Sequence, residues 1–506
     1  MEYGCEEPDV ELRKQVTLET ELQNAYRYLT QAKASEQANI RFFTLRQLHN
    51  DPTVDEFQLT LTRAALSKTL NSLSWERELV IPRAIDANGN EIPARVGGEP
   101  NPEFSQAVLF AVDIEKLGWT REHWNTILAA YPYAVSYEGR TENEALHELS
   151  QKIENVRGAR DPAIVRADWF VSVATRPPVY HALLYELQIP ELRHRTADPT
   201  SAATPLHMTD IDLEQYLGLE VNEGIITGRA KRSGFTESGV SGQNRLIERH
   251  NMPRGGAYWK SYDFKESNRR SILTEFPLGP AFKGNPYNAL AFEHDGGEII
   301  FNLPNGMQAY LLIDGEGGRI DAGPIDVVGD SLKTSGNEQI FVGVSCMACH
   351  RDGMIPSPRD EVRKFSALAG SQRDLLQELY PEPETLNDLI LEDSEFFQRS
   401  LNRTLKNFVS TDELDGLPEP VGEVSRRYFL EPMQIETVAA ELDVTVEDLK
   451  AGLKVNRTLQ QMGLRVLTRE GGAIKRAAWE TGEGNNRTAL TMMKEVAREF
   501  GYSPRQ

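Results

Sequence analysis

The spacing of apolar residues predicts helices in the first part of the chain. In residues 12–34 and 54–73, apolar side chains recur at intervals of three and four, which is typical of amphipathic helices. Thr120 is a suitable N-cap for a further helix, and residues 161–187 predict one long helix. The polar run at residues 86–91 is typical of a turn between strands. The first region is therefore predicted to be mainly helical.

The middle of the chain alternates apolar runs with glycine-rich turns, which is typical of β-structure. Two such runs flank the Pro-Asn-Gly tripeptide at residues 304–306, and Asn-Gly is a strong hairpin signal because both residues tolerate positive φ. Residues 314–318 predict the next turn. A polar connector with three prolines, residues 190–210, separates this region from the first. We therefore predict a β-rich domain at residues 210–340.

Helical patterns return after the β-rich region and continue to the C-terminus. A chain of 506 residues is too long for one ordinary core, so two or three domains are expected. We predict an α+β protein with a mainly helical N-terminal domain (residues 1–190), a β-rich domain with hairpins (residues 210–340) and a helical C-terminal domain (residues 341–506).

The most specific motif in the chain is the pentapeptide Cys346-Met347-Ala348-Cys349-His350. Its C-x-x-C-H spacing resembles the haem-attachment site of c-type cytochromes. The resemblance implies that the two thiols form thioethers with one haem and that His350 is an axial iron ligand. Because the chain has only three cysteines, this spacing is improbable by chance. We therefore expect one covalently attached haem c, held by Cys346, Cys349 and His350, and a cytochrome c-like C-terminal region.

Two other interpretations of the motif are a zinc site and a thioredoxin-like redox pair. A zinc site would need a second pair of cysteine or histidine ligands at metal-finger spacing, which the sequence lacks. A thioredoxin-like redox pair usually opens a helix after a strand, and residues 341–344 could supply that strand. The redox pair stays open as an alternative.

The sixth ligand of the iron decides between electron transfer and catalysis. Met433 follows a proline in a loop-like stretch and is the preferred candidate, with Met462 as a second methionine. His294, which precedes a tight turn, is the rival, and a bis-histidine site generally has a lower potential. Met354 lies four residues after His350 and is expected to pack beside the haem. If no strong ligand binds, the site is open to dioxygen, peroxide or a small gas.

The resemblance implies a function as well as a cofactor. It indicates an extracytoplasmic mono-haem c-type cytochrome, periplasmic or extracellular, that transfers electrons to or from a redox partner protein. One alternative is a haem-c enzyme of the oxygenase or peroxidase type with an open distal site, for which the sequence identifies no catalytic residue. Another is a haem-containing binding or sensor protein. The resemblance covers the motif and the C-terminal third, because the motif begins only at residue 346.

The start of the sequence bears on location. Residues 1–7 have neither the basic segment nor the apolar core of a signal peptide. Since cytochrome c maturation in bacteria takes place outside the cytoplasm, we expect a mature or trimmed form of the chain. If Cys346 and Cys349 bind haem, Cys5 has no internal disulfide partner. Cys5 is then expected to be a free thiol, an intermolecular bridge or a lipid anchor.

Charge and hydropathy exclude two classes of partner. The formal net charge of −21 would repel the phosphates of a nucleic acid. Residues 435–453 resemble a helix-turn-helix pattern, but their acidic side chains favour two short packed helices beside the haem instead. No apolar run approaches the roughly 20 residues that span a bilayer, so no transmembrane segment is expected.

Overall fold

The computed structural model describes residues 13–504, apart from residues 98, 137–142, 190–191, 193–207, 237–243, 266–268, 325–328, 356–358, 410–413, 415 and 482–490. Cys5 and most of the predicted connector lie outside the described residues. Within them, the chain is α+β as predicted, with an antiparallel sheet in the middle and helices on both sides of it in sequence. The bounds of the three domains stay predictions, while apolar side chains from all three regions pack into one continuous buried cluster.

The N-terminal region contains both helices and strands. Its helices are α1 (Leu18–Gln31), α2 (Ala34–Gln37), α3 (Arg46–Asn50), α4 (Glu56–Ser72), α5 (Pro102–Ser105), α6 (Arg121–Ala129), α7 (Glu144–Arg157), α8 (Ala167–Ala174) and α9 (Val179–His181). Its strands are β1 (Ile40–Thr44), β2 (Arg83–Ile85), β3 (Glu91–Ile92), β4 (Arg95–Val96), β5 (Glu99–Pro100), β6 (Leu109–Asp113), β7 (Val135–Ser136) and β8 (Ile164–Arg166). Five strands form one sheet in the order β3-β2-β6-β1-β8, in which β1 and β8 are parallel and the other pairs antiparallel.

Most local predictions for this region are confirmed. Helices α1, α4 and α6 lie where the apolar spacing predicts them, and Thr120 caps α6 by accepting a hydrogen bond from the amide of Glu122. The turn between strands is also confirmed, because β2 and β3 pair across residues 86–91. Within that turn, one carboxylate oxygen of Asp86 accepts hydrogen bonds from two backbone amides.

The prediction of a single long helix at residues 161–187 is wrong. The segment starts with β8, continues as α8, and after Pro177 and Pro178 forms α9 and a π-helical turn at Ala182–Glu186. Proline lacks an amide hydrogen and disfavours a helical conformation in the residue before it, so two consecutive prolines interrupt the helix. The β-branched residues of β8 pair instead with β1.

The middle region is a six-stranded antiparallel sheet in which neighbours in sequence are neighbours in space. Two helices, α10 (Asp210–Leu217) and α11 (Val221–Ile226), precede it. Its strands are β9 (Lys231–Phe235), β10 (Arg245–Asn251), β11 (Ala257–Asp263), β12 (Gly296–Asn302), β13 (Gln308–Asp314) and β14 (Arg319–Ile320). The predicted hairpin is confirmed as β12–β13, with Gly306 at φ 87° in its turn. The turn predicted at residues 314–318 joins β13 to β14.

The two faces of this sheet have different surroundings. On one face, Glu248 of β10 pairs with Arg232, and Lys260 of β11 pairs with Asp210 and Glu214 of α10. Side chains of neighbouring positions along β10 to β14 point to the opposite face, because successive residues of a strand face opposite sides of the sheet. We call this second face the cavity face. The cavity face is turned towards the C-terminal region.

The C-terminal region is helical, as predicted. Its helices are α12 (Val344–Cys349), α13 (Val362–Phe365), α14 (Ser371–Leu379), α15 (Pro383–Leu405), α16 (Pro420–Leu430), α17 (Ile435–Leu442), α18 (Val446–Val455), α19 (Arg457–Gln461), α20 (Arg476–Glu480) and α21 (Met492–Glu499), and a short final strand, β15 (Ser503–Pro504), pairs with β7. Residues 435–453 form two short packed helices, α17 and α18, as predicted, and α17 packs against α3 of the N-terminal region. Their predicted position beside a haem stays a prediction. Among the described residues, no helix combines the length and the apolar composition that crossing a membrane requires.

A buried charge network joins the N-terminal and C-terminal regions. Glu441 of α17 lies 2.7 Å from a guanidinium nitrogen of Arg166 and 2.8 Å from one of Arg476. It also accepts a 2.8 Å hydrogen bond from the indole nitrogen of Trp479. Arg166 in turn pairs with Asp168 at 2.6 Å. All these side chains are buried, so the charges depend on one another for compensation.

Candidate functional site

The C-x-x-C-H motif faces a cavity of about 680 Å³ that lies between helix α12 and the cavity face of the sheet. Both cysteines and His350 belong to its lining. Much of the remaining wall is apolar, with contributions from Ile247, Trp259, Ile300, Leu312, Ile320 and Ile340. The volume lies within the roughly 300–1,000 Å³ of small-molecule and cofactor sites. The structure therefore brings the three predicted attachment residues to one pocket of cofactor size.

Helix α12 is fixed at its start by contacts to distant parts of the chain. The amide of Val344 donates a 2.9 Å hydrogen bond to the carbonyl of Thr175, which follows α8. The hydroxyl of Ser345 donates to Asp330 at 3.0 Å and accepts from the amide of Phe341 at 3.2 Å. On its other side, α12 packs against α16. These contacts of the polypeptide itself hold the motif against the core.

The residue before α12 has to be glycine. Gly343 has φ 89°, and a Cβ atom added there would lie 2.4 Å from the carbonyl oxygen of Thr175 and 3.0 Å from the ring of Tyr180. An alanine would therefore suffer both a left-handed backbone conformation and a steric clash with backbone.

We expect Gly343→Ala to lower the free energy of unfolding by about 2–4 kcal/mol, because the clash adds to the conformational penalty. Gly158→Ala is the matched control: Gly158 has φ 65°, but nothing lies within 4 Å of its added Cβ, so only the conformational cost of about 1–2 kcal/mol applies. Urea unfolding followed by circular dichroism measures both. Equal losses in the two variants would contradict the predicted clash.

His350 directs one ring nitrogen into the cavity. It follows the last residue of α12, and its Nδ1 lies 3.1 Å from the carbonyl oxygen of Gly353. A carbonyl only accepts, so Nδ1 carries a proton, and in the neutral imidazole Nε2 then has the lone pair. Nε2 faces Glu298 across the cavity, 3.7 Å from its Oε2. This is the arrangement that metal-binding histidines adopt, in which a backbone carbonyl fixes the tautomer and the ring orientation.

Helix α15 ties the turn after His350 to the sheet. The amide of Met354 donates to the hydroxyl of Ser394 at 3.1 Å. The preceding residue of the helix, Asp393, pairs with Arg249 at 2.7 Å and accepts a hydrogen bond from the indole nitrogen of Trp259 at 2.9 Å. Two consecutive residues of α15 therefore bind both walls of the cavity.

The two thiols are held in their protonated form. Burial and the charge of Glu298 raise the pKa of Cys346 well above its ordinary value, and burial raises the pKa of Cys349 to about 11. Redox-active cysteine pairs depend on the opposite shift, because the thiolate is the reactive form. In addition, residues 341–344 form no strand before the helix: Phe341 makes a single bridge to Ala322. These features do not support the thioredoxin-like alternative.

Glu298 is a site residue that the sequence patterns did not reveal. It lies on β12, its side chain is 20% exposed, and it lines the cavity. Burial raises its pKa, but the neighbouring imidazole of His350, the thiol of Cys346 and the charge of Arg245 outweigh this effect and lower the pKa to about 2. Glu298 is therefore an anion at neutral pH. The available signal was a single acidic residue in the otherwise apolar run that forms β12.

The exposed lining of the cavity carries charges of both signs, with Asp295 and Asp314 beside the cations. Lys265 and Arg359 are exposed members of its lining, and Arg245 lines it while paired with Asp263 at 2.5 Å. A cofactor with carboxylate groups would find cations at this edge, where solvent still reaches them.

The predicted distal ligands lie elsewhere. Among the described residues that line the cavity, neither Met433, Met462 nor His294 is present. Met433 is buried in the C-terminal core, where its backbone forms a bridge with Ile474. Met354, expected to pack beside the haem, does line the cavity. The geometry thus gives no support to Met433, Met462 or His294 as a sixth ligand.

His294 occupies an aromatic setting instead. Its ring meets Tyr262 edge-on with 4.9 Å between centroids and also contacts Phe292. Burial lowers the pKa of His294 to about 4, and the charge of Lys260 adds to this effect. The imidazole is therefore neutral at pH 7.

The free energy of unfolding is expected to fall as the pH drops from 6.5 to 4, because the unfolded chain then binds a proton at His294 that the folded chain does not. The contribution of this group is at most about 3 kcal/mol, given its pKa of about 4 against 6.5. Urea titrations at several pH values, on the wild type and on His294→Gln, isolate it. Identical pH profiles in the two proteins would contradict the shift.

Comparison with known proteins gives no relative for this chain: no protein-family model, no curated protein and no solved structure matches it. Within the described part of the chain, no group of three or more His, Cys, Asp or Glu side chains is arranged to hold a metal ion by itself. A zinc site therefore gains no support. The donor set of two thiols and one imidazole nitrogen in an apolar pocket suits a haem c instead.

Proposed function

We propose that this protein is an extracytoplasmic mono-haem c-type cytochrome that transfers electrons to or from a redox partner protein. The observation that supports the proposal is the convergence of Cys346, Cys349 and the Nε2 atom of His350 on one largely apolar cavity of about 680 Å³. The proposal depends on finding the motif and the cavity at the same place, because a covalently bound haem needs thiols, an axial nitrogen and an apolar pocket together.

Each part of the site has a role in this proposal. Cys346 and Cys349 would form the two thioethers, and His350 would bind the iron, which supplies one-electron redox chemistry when the haem is bound. The carbonyl of Gly353 keeps Nε2 of His350 available by holding the proton on Nδ1. The apolar walls exclude water and so influence the potential.

An enzyme with an open distal site is the second candidate function. The observation that favours it is that Met433, Met462 and His294 do not line the cavity. Without a strong sixth ligand, the iron could bind dioxygen, peroxide or another small molecule, as in a haem-c enzyme of the oxygenase or peroxidase type.

The covalent haem is tested by extraction. The protein is produced in cells competent in cytochrome c maturation and treated with acidified acetone, which removes non-covalent haem. We expect the haem to stay on the polypeptide and the intact mass to exceed that of the chain by one haem. Complete extraction, or the mass of the unmodified chain, would end the cytochrome proposal.

Carbon monoxide then separates the two functions. A reduced protein with a low-spin spectrum that binds carbon monoxide slowly or not at all supports an electron carrier with six ligands. A high-spin spectrum with immediate binding supports the open-site enzyme. Both outcomes presuppose covalent haem, so they are measured on protein that has passed the extraction test.

A further inference from the structure

Glu298 differs from the other buried acids of the sheet because no lysine or arginine among the described residues lies within ion-pair distance of it. Within the part of the chain that the structure describes, no lysine or arginine forms an ion pair with it, and its polar contacts are Nε2 of His350 and the thiol of Cys346. By contrast, Glu248 pairs with Arg232 and Asp263 pairs with Arg245. A largely buried carboxylate is costly without a compensating cation. Arg245 acts on Glu298 only from beyond ion-pair distance, so a metal cation beside the carboxylate would stabilise its charge further.

The distance between Glu298 and His350 suits a metal between them. Oε2 of Glu298 and Nε2 of His350 are 3.7 Å apart. Two bonds from a first-row metal to oxygen and to nitrogen, each about 2 Å long, span roughly 4 Å when they point in opposite directions. A shift of a few tenths of an ångström would therefore admit the metal. No other carboxylate among the described residues forms a contact with His350.

Both groups are carried by fixed elements, so their opposition does not depend on a loop. β12 is paired with β11 on one side and β13 on the other, and the amide of Glu298 donates to the hydroxyl of Ser261 at 2.9 Å. His350 is held by Gly353, and the turn that contains Gly353 is held by Ser394 of α15. The two side chains face each other across the cavity from the sheet and from the C-terminal helices.

We propose that Glu298 faces the iron from the side opposite His350 and controls its sixth coordination position. This inference rests on the haem of the proposed function. A carboxylate is a hard oxygen donor that suits ferric iron and binds ferrous iron weakly, so it would yield its position to a small ligand once the iron is reduced. The polar groups of a distal pocket decide between ligand binding, activation and plain electron transfer. In this chain that group would be an acid provided by a β-strand.

Three variants test the role of Glu298 on protein whose haem has survived acid–acetone extraction. Glu298→His should convert the ferric haem to a low-spin form with two imidazole ligands, seen by electron paramagnetic resonance. Glu298→Gln should raise the rate of azide binding to ferric haem by at least about tenfold, since it removes the charged group that competes with azide for the sixth position. Asp263→Asn is the matched control, because it converts another carboxylate of the same cavity that pairs with Arg245. It should leave the rate within about twofold of the wild type.

The outcomes separate the two proposals. If acidified acetone removes the haem, the cytochrome proposal fails before Glu298 is examined. If the haem stays but Glu298→His keeps the spin state of the wild type, or Glu298→Gln and Asp263→Asn alter azide binding equally, Glu298 does not face the sixth position. Circular dichroism of each variant shows whether it is folded, and Glu298→Gln, which preserves shape, carries the test if Glu298→His does not fold.

Discussion

Replacing both Cys346 and Cys349 by alanine is expected to abolish covalent haem, from one haem per chain to none. Each thiol supplies one thioether, so a single substitution leaves at most one bond and should sharply lower the yield of holoprotein. Both cysteines line the same cavity. The described residues contain no third cysteine that could form a thioether in their place. Intact mass and haem staining after denaturing electrophoresis measure the loss.

A matched control lies between the two cysteines. Met347 is 1% exposed and packs in the core, so Met347→Leu conserves volume and should cost less than about 1.5 kcal/mol while keeping the haem. His350→Ala separates attachment from ligation: the thioethers remain, but the iron loses its proximal nitrogen and becomes high-spin or takes a foreign ligand. Covalent haem at wild-type level in the double cysteine variant would refute the attachment site.

Glu441→Ala is expected to lower the free energy of unfolding by about 3–5 kcal/mol. Removing one member of a buried ion network leaves the others without compensation, and Glu441 serves both Arg166 and Arg476. The hydrogen bond from Trp479 is lost as well. Because this network joins the N-terminal sheet to the C-terminal helices, the effect should reach both regions. Urea unfolding, followed by tryptophan fluorescence and by circular dichroism, measures it.

The control for this prediction is an ion pair on the surface. Glu148 and Lys152 lie 3.5 Å apart on α7, and both are more than half exposed. Exposed pairs contribute little, so Glu148→Ala should change the free energy of unfolding by less than about 0.5 kcal/mol. Glu441→Gln removes the charge but keeps the shape, and it should lie between the two. A loss below about 1 kcal/mol for Glu441→Ala would show that the network is not required for stability.

Local signals were sufficient for the middle sheet but not for the N-terminal one. The β12–β13 hairpin was predictable because Asn305 and Gly306 stand between two apolar runs. The five residues of β1, in contrast, are all buried, so the strand lacks the alternation of apolar and polar residues that reveals half-buried strands. The prediction of a helix over β8 failed for a different reason: a strand of three residues is too short to show a period.

The same distinction applies to the site. Cys346, Cys349 and His350 lie within five consecutive residues, so the sequence alone predicts that they lie close together in the structure. Glu298 and His350 come together only because β12 and the end of α12 border the same cavity, which no local pattern encodes. Met433 and His294 were chosen from their neighbours in sequence, and proximity to a proline or a turn does not indicate which side chains reach a distant pocket.

The two consecutive residues of α15 that bind both cavity walls have a consequence for the proposed electron transfer. Asp393 holds Arg249 and Trp259 of the sheet, and Ser394 holds the turn after His350. The helix therefore links the two walls of the pocket by direct side-chain contacts. An iron held there could change its charge with little displacement of the surrounding atoms. Under the proposed function, such a mounting would lower the reorganisation energy of electron transfer, and a pocket braced in this way would adapt poorly to bulky ligands.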